Sequence, residues 1–120
     1  MNETSVLVYT THGTYGRGDD AYGALLAANA SVAKGVTTTM VLVDDGVSIA
    51  KKGQDTSQIG VPNHLDELMD FLELGGKLVV VKESLEHRGI ARDELVDGVE
   101  VASLKSLVYL IEEHSCSLTF

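Results

Sequence analysis

The chain has 120 residues, 44 % of them hydrophobic and 22 % charged, with a single proline. That is the size of one domain, long enough to bury a core without disulfide staples, and the balance excludes disorder. The net charge is −9, and the basic residues (Arg17, Lys34, Lys51, Lys52, Lys77, Lys82, Arg88, Arg92, Lys105) form no stripe, which excludes a nucleic-acid footprint.

The opening Met1-Asn2-Glu3-Thr4-Ser5 has no basic region, and the apolar run after it breaks at Thr10, so no signal peptide is expected. No stretch approaches the ~20 apolar residues of a membrane span. A lone cysteine, Cys116, excludes an intramolecular disulfide and suits a reducing compartment. The expectation is a cytoplasmic protein without membrane contact.

Val6 to Thr10 is a β-branched and aromatic run, read as a buried strand. The loop His12 to Gly18 follows, with Gly13, Gly16 and Gly18. Asp19 or Asp20 then caps an Ala-rich helix over 21–33. A second strand spans Val36 to Val43 and ends at the turn-forming Asp44-Asp45-Gly46. Val47 to Lys52 suits a short helical turn, and 53–60 a polar loop.

Pro62-Asn63 opens a second long helix, whose Leu65, Leu68, Met69 and Leu72 follow the spacing of one buried face. Leu78 to Val81 is a third strand, and Ser84 to His87 a short helix ended by Gly89. Gly98 to Val101 reads as a fourth strand. Leu104, Leu107, Val108 and Ile111 mark an amphipathic helix, and Cys116 to Phe120 a buried closing strand.

Strands alternating with helices predict one α/β domain over 1–120, a three-layer α/β/α sandwich with a mostly parallel sheet of about five strands and flavodoxin-like layering. Ligands in such folds bind at the carboxyl ends of strands. The segments to watch are therefore 12–18, 44–46 and 82–88.

The glycine loop precedes a helix but has neither the Walker A lysine nor the Rossmann spacing, so it is read as a turn. Asp44-Asp45 lacks the acceptor aspartate on a neighbouring strand that a receiver-type cation site needs; a turn or cap is expected. His12, His64, His87 and His114 have no metal-ligand spacing, and no metal or cofactor is expected. Cys116 is read as a small core residue.

Several pieces carry a family likeness: Gly13-Thr14-Tyr15-Gly16 before Ala24-Leu25-Leu26-Ala27-Ala28-Asn29, then Val41-Leu42-Val43-Asp44-Asp45-Gly46-Val47. Arg88-Gly89-Ile90, Leu95-Val96-Asp97-Gly98-Val99-Glu100 and Leu118-Thr119-Phe120 follow in order. Through these pieces the chain resembles the DsrE/DsrF-like family of sulfur-relay proteins, most closely its small YchN-like members. The resemblance implies a parallel sheet between helices and assembly into trimers or hexamers. For relay members it also implies a persulfide-carrying cysteine after the third strand, eight residues before the glycine of the Arg-Gly pair. Counting back from Gly89 lands on Val81, and a second cysteine of some members lands on Ser84.

A relay needs a thiolate that takes up sulfane sulfur and releases it, which neither valine nor serine can do. The expected function is therefore non-catalytic. A partner or small ligand would bind at the old relay position, with His12, Tyr15, Arg17, Lys82, Ser84, His87 and Arg88 as its rim. The alternative is a persulfide carrier using Cys116 or a thiol from a partner subunit. A homo-oligomer, or a hetero-oligomer with other DsrE-like subunits, is the expected assembly.

Overall fold

The computed structural model describes residues 4–13, 20–54 and 64–120. Strand β1 (Ser5–Thr10) leads to helix α1 (Asp20–Ala33) and strand β2 (Thr37–Leu42), then a 3₁₀ segment over Asp44–Ala50. Helix α2 (His64–Glu73) precedes strand β3 (Lys77–Val81), which passes directly into the short helix α3 (Lys82–His87). Strand β4 (Val99–Ala102), a 3₁₀ turn at Leu104–Ser106, helix α4 (Leu107–Glu113) and strand β5 (Cys116–Thr119) complete the chain.

The five strands are all parallel, in the order β4-β3-β2-β1-β5. From β1 to β4 the chain steps one way across the sheet, and right-handed crossovers keep α1 and α2 on one face. The return from β4 to β5 reverses direction, which sends α4 to the other face. The predicted three-layer α/β/α arrangement follows from this reversal.

Two-residue periodicity divides the central strands between the layers. Met40, Leu42, Leu78 and Val80 join Val8, Leu25, Leu68 and Phe71 beneath α1 and α2. Val41, Val43, Val79 and Val81 point the other way, to Leu7 and Leu107. Strands buried on both faces are continuous apolar runs, which is why they are legible in the sequence.

Several expectations need correction. Cys116 does not lie in a buried strand: it is exposed, as is all of the edge strand β5, because Cys116 and Leu118 share the α1 side of the sheet with Val6 and Val8 and α1 packs over β1 and β2 instead. In the last helix only Leu107 is buried, while Leu104, Val108 and Ile111 are about half exposed. The 3₁₀ turn at 104–106 breaks the α-helical phase on which the amphipathic reading relies. In α2 the inward stripe is His64, Leu68 and Phe71, and Met69 is 40 % exposed. The helical turn expected at 47–52 starts earlier, at Asp44.

Candidate functional site

Three strand ends converge on the 3₁₀ segment Asp44–Ala50. The carbonyl of Thr10, at the end of β1, accepts a hydrogen bond from Val43 N–H at 3.1 Å. A Cβ on Gly46 would collide with that same carbonyl, so the β1 and β2 ends approach this closely only with glycine there. Gly13 is held alike: a Cβ on it would lie 2.7 Å from Asp45 O and collide with Ser48 Oγ. Gly13 therefore leans directly on the turn after β2.

From the other side, α3 locks onto the same turn. Asp44 has φ +53°, a left-handed conformation that costs a non-glycine residue on the order of 1 kcal/mol or more. That conformation lets Asp44 N–H donate to the Ser84 hydroxyl at 2.9 Å. Arg88 Nε donates to Asp45 Oδ1 at 3.0 Å, and its terminal nitrogen to Ser84 O at 3.3 Å. Tyr9 lies within reach of this turn, and burial together with the Asp44 carboxylate raises its phenol pKa.

The expected rim thus divides. Ser84 is buried and engaged, and Arg88 is paired with the exposed Asp45 carboxylate at the surface. Lys82 and His87 are exposed and flank Glu83 instead. The Glu83 carboxyl is held low by Leu104 N–H above all, then by its own backbone N–H and by Lys82 and His87. Its Oε1 accepts from Leu104 N–H at 2.9 Å, tying α3 to the start of the 3₁₀ turn. His12 is exposed, its Nδ1 3.4 Å from Asp20 Oδ2 and within 3.2 Å of Thr11 Oγ1. Tyr15 and Arg17, like the Asp19 cap and the Pro62-Asn63 helix start, lie outside the described residues.

Val81 ends β3 immediately before α3 and has no exposed surface; its side chain belongs to the apolar cluster under α4. Cys116 opens β5 opposite Val6, at the amino ends of the strands. About five residues along the strand direction and three strand spacings separate it from Val81, roughly 20 Å in all. It borders a cavity of about 140 Å³ with His114 and Ile111. His114 is held there by Leu110 O at 2.6 Å and Thr39 Oγ1 at 2.8 Å.

Sequence reasoning assigns Asp44 and Asp45 only a turn or a helix cap. Their part in holding Ser84 and Arg88 spans about 40 residues of chain, and an Asp-Asp-Gly turn gives no local sign of it. Among the described residues no group of three or more His, Cys, Asp or Glu side chains is placed to hold a metal ion, and no helix is long and apolar enough to cross a membrane.

Comparison with known proteins agrees with this architecture. The ychN protein from E. coli superposes with a TM-score of 0.88 at 21 % identity, over 98 % of this chain and 99 % of that one. At that identity the likeness speaks for the fold. An uncharacterized protein of Methanocaldococcus jannaschii is 32 % identical over 94 % of this chain and 96 % of its own length. One of Methanopyrus kandleri is 31 % identical over 90 % and 87 %. The profile of the DsrE/DsrF-like family matches residues 4–120. With strand order, length and sequence profile in agreement, the chain belongs to the DsrE/DsrF-like family.

Proposed function

We propose that this chain is a non-catalytic DsrE-like protein that binds a partner or small ligand at the strand ends where relay members carry their thiol. The observation that carries this reading is Val81, a side chain without a nucleophile and without exposed surface at that position. Ser84, at the second position, already accepts the Asp44 N–H and cannot hold sulfane sulfur. What the strand ends offer instead is exposed polar side chains, Lys82, His87 and His12. Their basic groups favour an anionic contact.

The exposure of Cys116 supports a second reading, a persulfide carrier working from the opposite end of the sheet. A thiol supplied by another DsrE-like subunit is a variant of it. Exposed Leu104 in the 3₁₀ turn, Val108, Tyr109 and Ile111 on α4, and Leu118 on β5 support self-assembly as a trimer or hexamer, or assembly with such a subunit. The cytoplasm is the proposed location.

Intact-mass measurement after incubation with polysulfide tests the choice. The proposal expects no stable sulfur adduct on the chain. An adduct abolished by Cys116→Ser overturns it in favour of the second reading.

A further inference from the structure

Away from the strand ends, the outer surface of α1 and α2 carries a groove of about 450 Å³ between Ala30 and Ala33 on one side and Glu67, Asp70, Glu73 and Leu74 on the other. The two alanines open the trough because a methyl group is all that stands on that stretch of α1. Leu26 lies one turn before Ala30 on the same stripe and is 43 % exposed, while Leu74 is 53 % exposed. These are apolar side chains that α1 and the turn just after α2 present outward, not to the core.

The α2 wall of the groove is acidic, with Glu67, Asp70 and Glu73 lining it. Asp66, Asp70 and Glu73 recur at i, i+4 and i+7 along α2. Asn29 Nδ2 donates to Glu67 Oε2 at 2.8 Å and to Glu67 O at 3.0 Å, which pins that carboxylate to the groove wall. Both helices join parallel strands in the same sense, so their negative dipole ends lie together, and neither has a basic residue in its last turn. Lys34 follows α1 but does not line the groove. An apolar trough with carboxylates along one wall and two helix C-termini without a basic residue in their last turns suits an apolar ligand face flanked by cations.

We propose that this groove docks a basic amphipathic helix of another protein, with apolar anchors at i, i+3, i+4 and i+7 in the trough and Lys or Arg side chains on the carboxylates. Charge complementarity selects the occupant. A second copy is the wrong partner, because α1, α2 and α4 contain no lysine or arginine and the chain's net charge is −9.

The probe is a fluorescein-labelled helical peptide of about 18 residues, long enough to hold helix, with Leu at the anchor positions and Lys elsewhere. Its counterpart carries Glu for Lys. Anisotropy with the full chain is expected to show saturable binding of the basic peptide and none of the acidic one. Asp70→Lys with Glu73→Lys should weaken binding by about tenfold or more. Ala30→Trp, which fills the trough at unchanged charge, should do the same. Glu112→Lys with Glu113→Lys changes net charge equally on α4 and should leave affinity within about twofold, separating docking from general attraction to an acidic protein. Circular dichroism checks folding of each variant; if the α2 charge reversal does not fold, Ala30→Trp decides. No binding of the basic peptide, equal loss from both charge reversals, or indifference to Ala30→Trp overturns the proposal.

Discussion

Restoring a thiol at the relay position should not restore a reactive one. Val81→Cys, made together with Cys116→Ser, removes little more than one methyl group's packing, a cost of about 0.5–1.5 kcal/mol. A domain of this kind is stable by about 5–15 kcal/mol, so the variant folds. The Val81 side chain is 0 % exposed and packed with Val43, Val79 and Leu107, so a reagent reaches the introduced sulfur only after α4 or the β3–α3 junction opens. An opening that costs about 3 kcal/mol keeps the reactive population near one in a hundred. An aromatic disulfide reagent, followed by absorbance, should therefore modify the introduced thiol about a hundredfold more slowly than it modifies exposed Cys116 in the parent chain. Rates within about tenfold of each other would refute the reasoning, and with it the burial argument for a non-catalytic strand end.

The turn after β2 supplies further tests. Ser84→Ala leaves the Asp44 N–H without its acceptor beneath α3, at a cost of about 1–3 kcal/mol, and should lower Tm by several degrees; an unchanged Tm would mean that this bond holds nothing. The Arg88–Asp45 pair is largely exposed on the aspartate side, so a double-mutant cycle with Arg88→Ala and Asp45→Ala should return a coupling below about 1 kcal/mol. A larger value would show that the pair, more than Ser84, anchors α3. Burial lowers the pKa of His64 from its ordinary 6.5, so in mildly acid solution the unfolded chain binds a proton that the folded chain resists. Its share of stability is whole above that value and declines as the pH falls below it. His64→Phe keeps a ring against Tyr22, stacked at 5.7 Å in the parent, and should flatten the loss of Tm on acidification below about pH 6.5. An equally steep decline in the variant would locate that pH dependence elsewhere.

The layered α/β fold is readable in the chain because each buried strand is a contiguous apolar run and each break carries its own turn chemistry. A run such as Leu78 to Val81 needs no partner to be recognised as a strand, being apolar whichever way its residues face. The family likeness is legible for the same reason, as an ordered series of short local pieces. Burial at the margins is not. Cys116 and Leu118 have a strand's composition, yet whether a strand is covered depends on its place in the sheet and on which strands the helix of that face packs over; here α1 covers β1 and β2 and leaves the edge strand β5 open. For the site, sequence supports an expectation of place and no more. That ligands meet the strand carboxyl ends follows from topology, but the union of Asp44 with Ser84 and of Asp45 with Arg88 depends on a left-handed residue and two long-range contacts. Local sequence determines which segments can be buried; only the packed sheet decides which of their side chains are, and it is this that leaves Val81 sealed and Cys116 open.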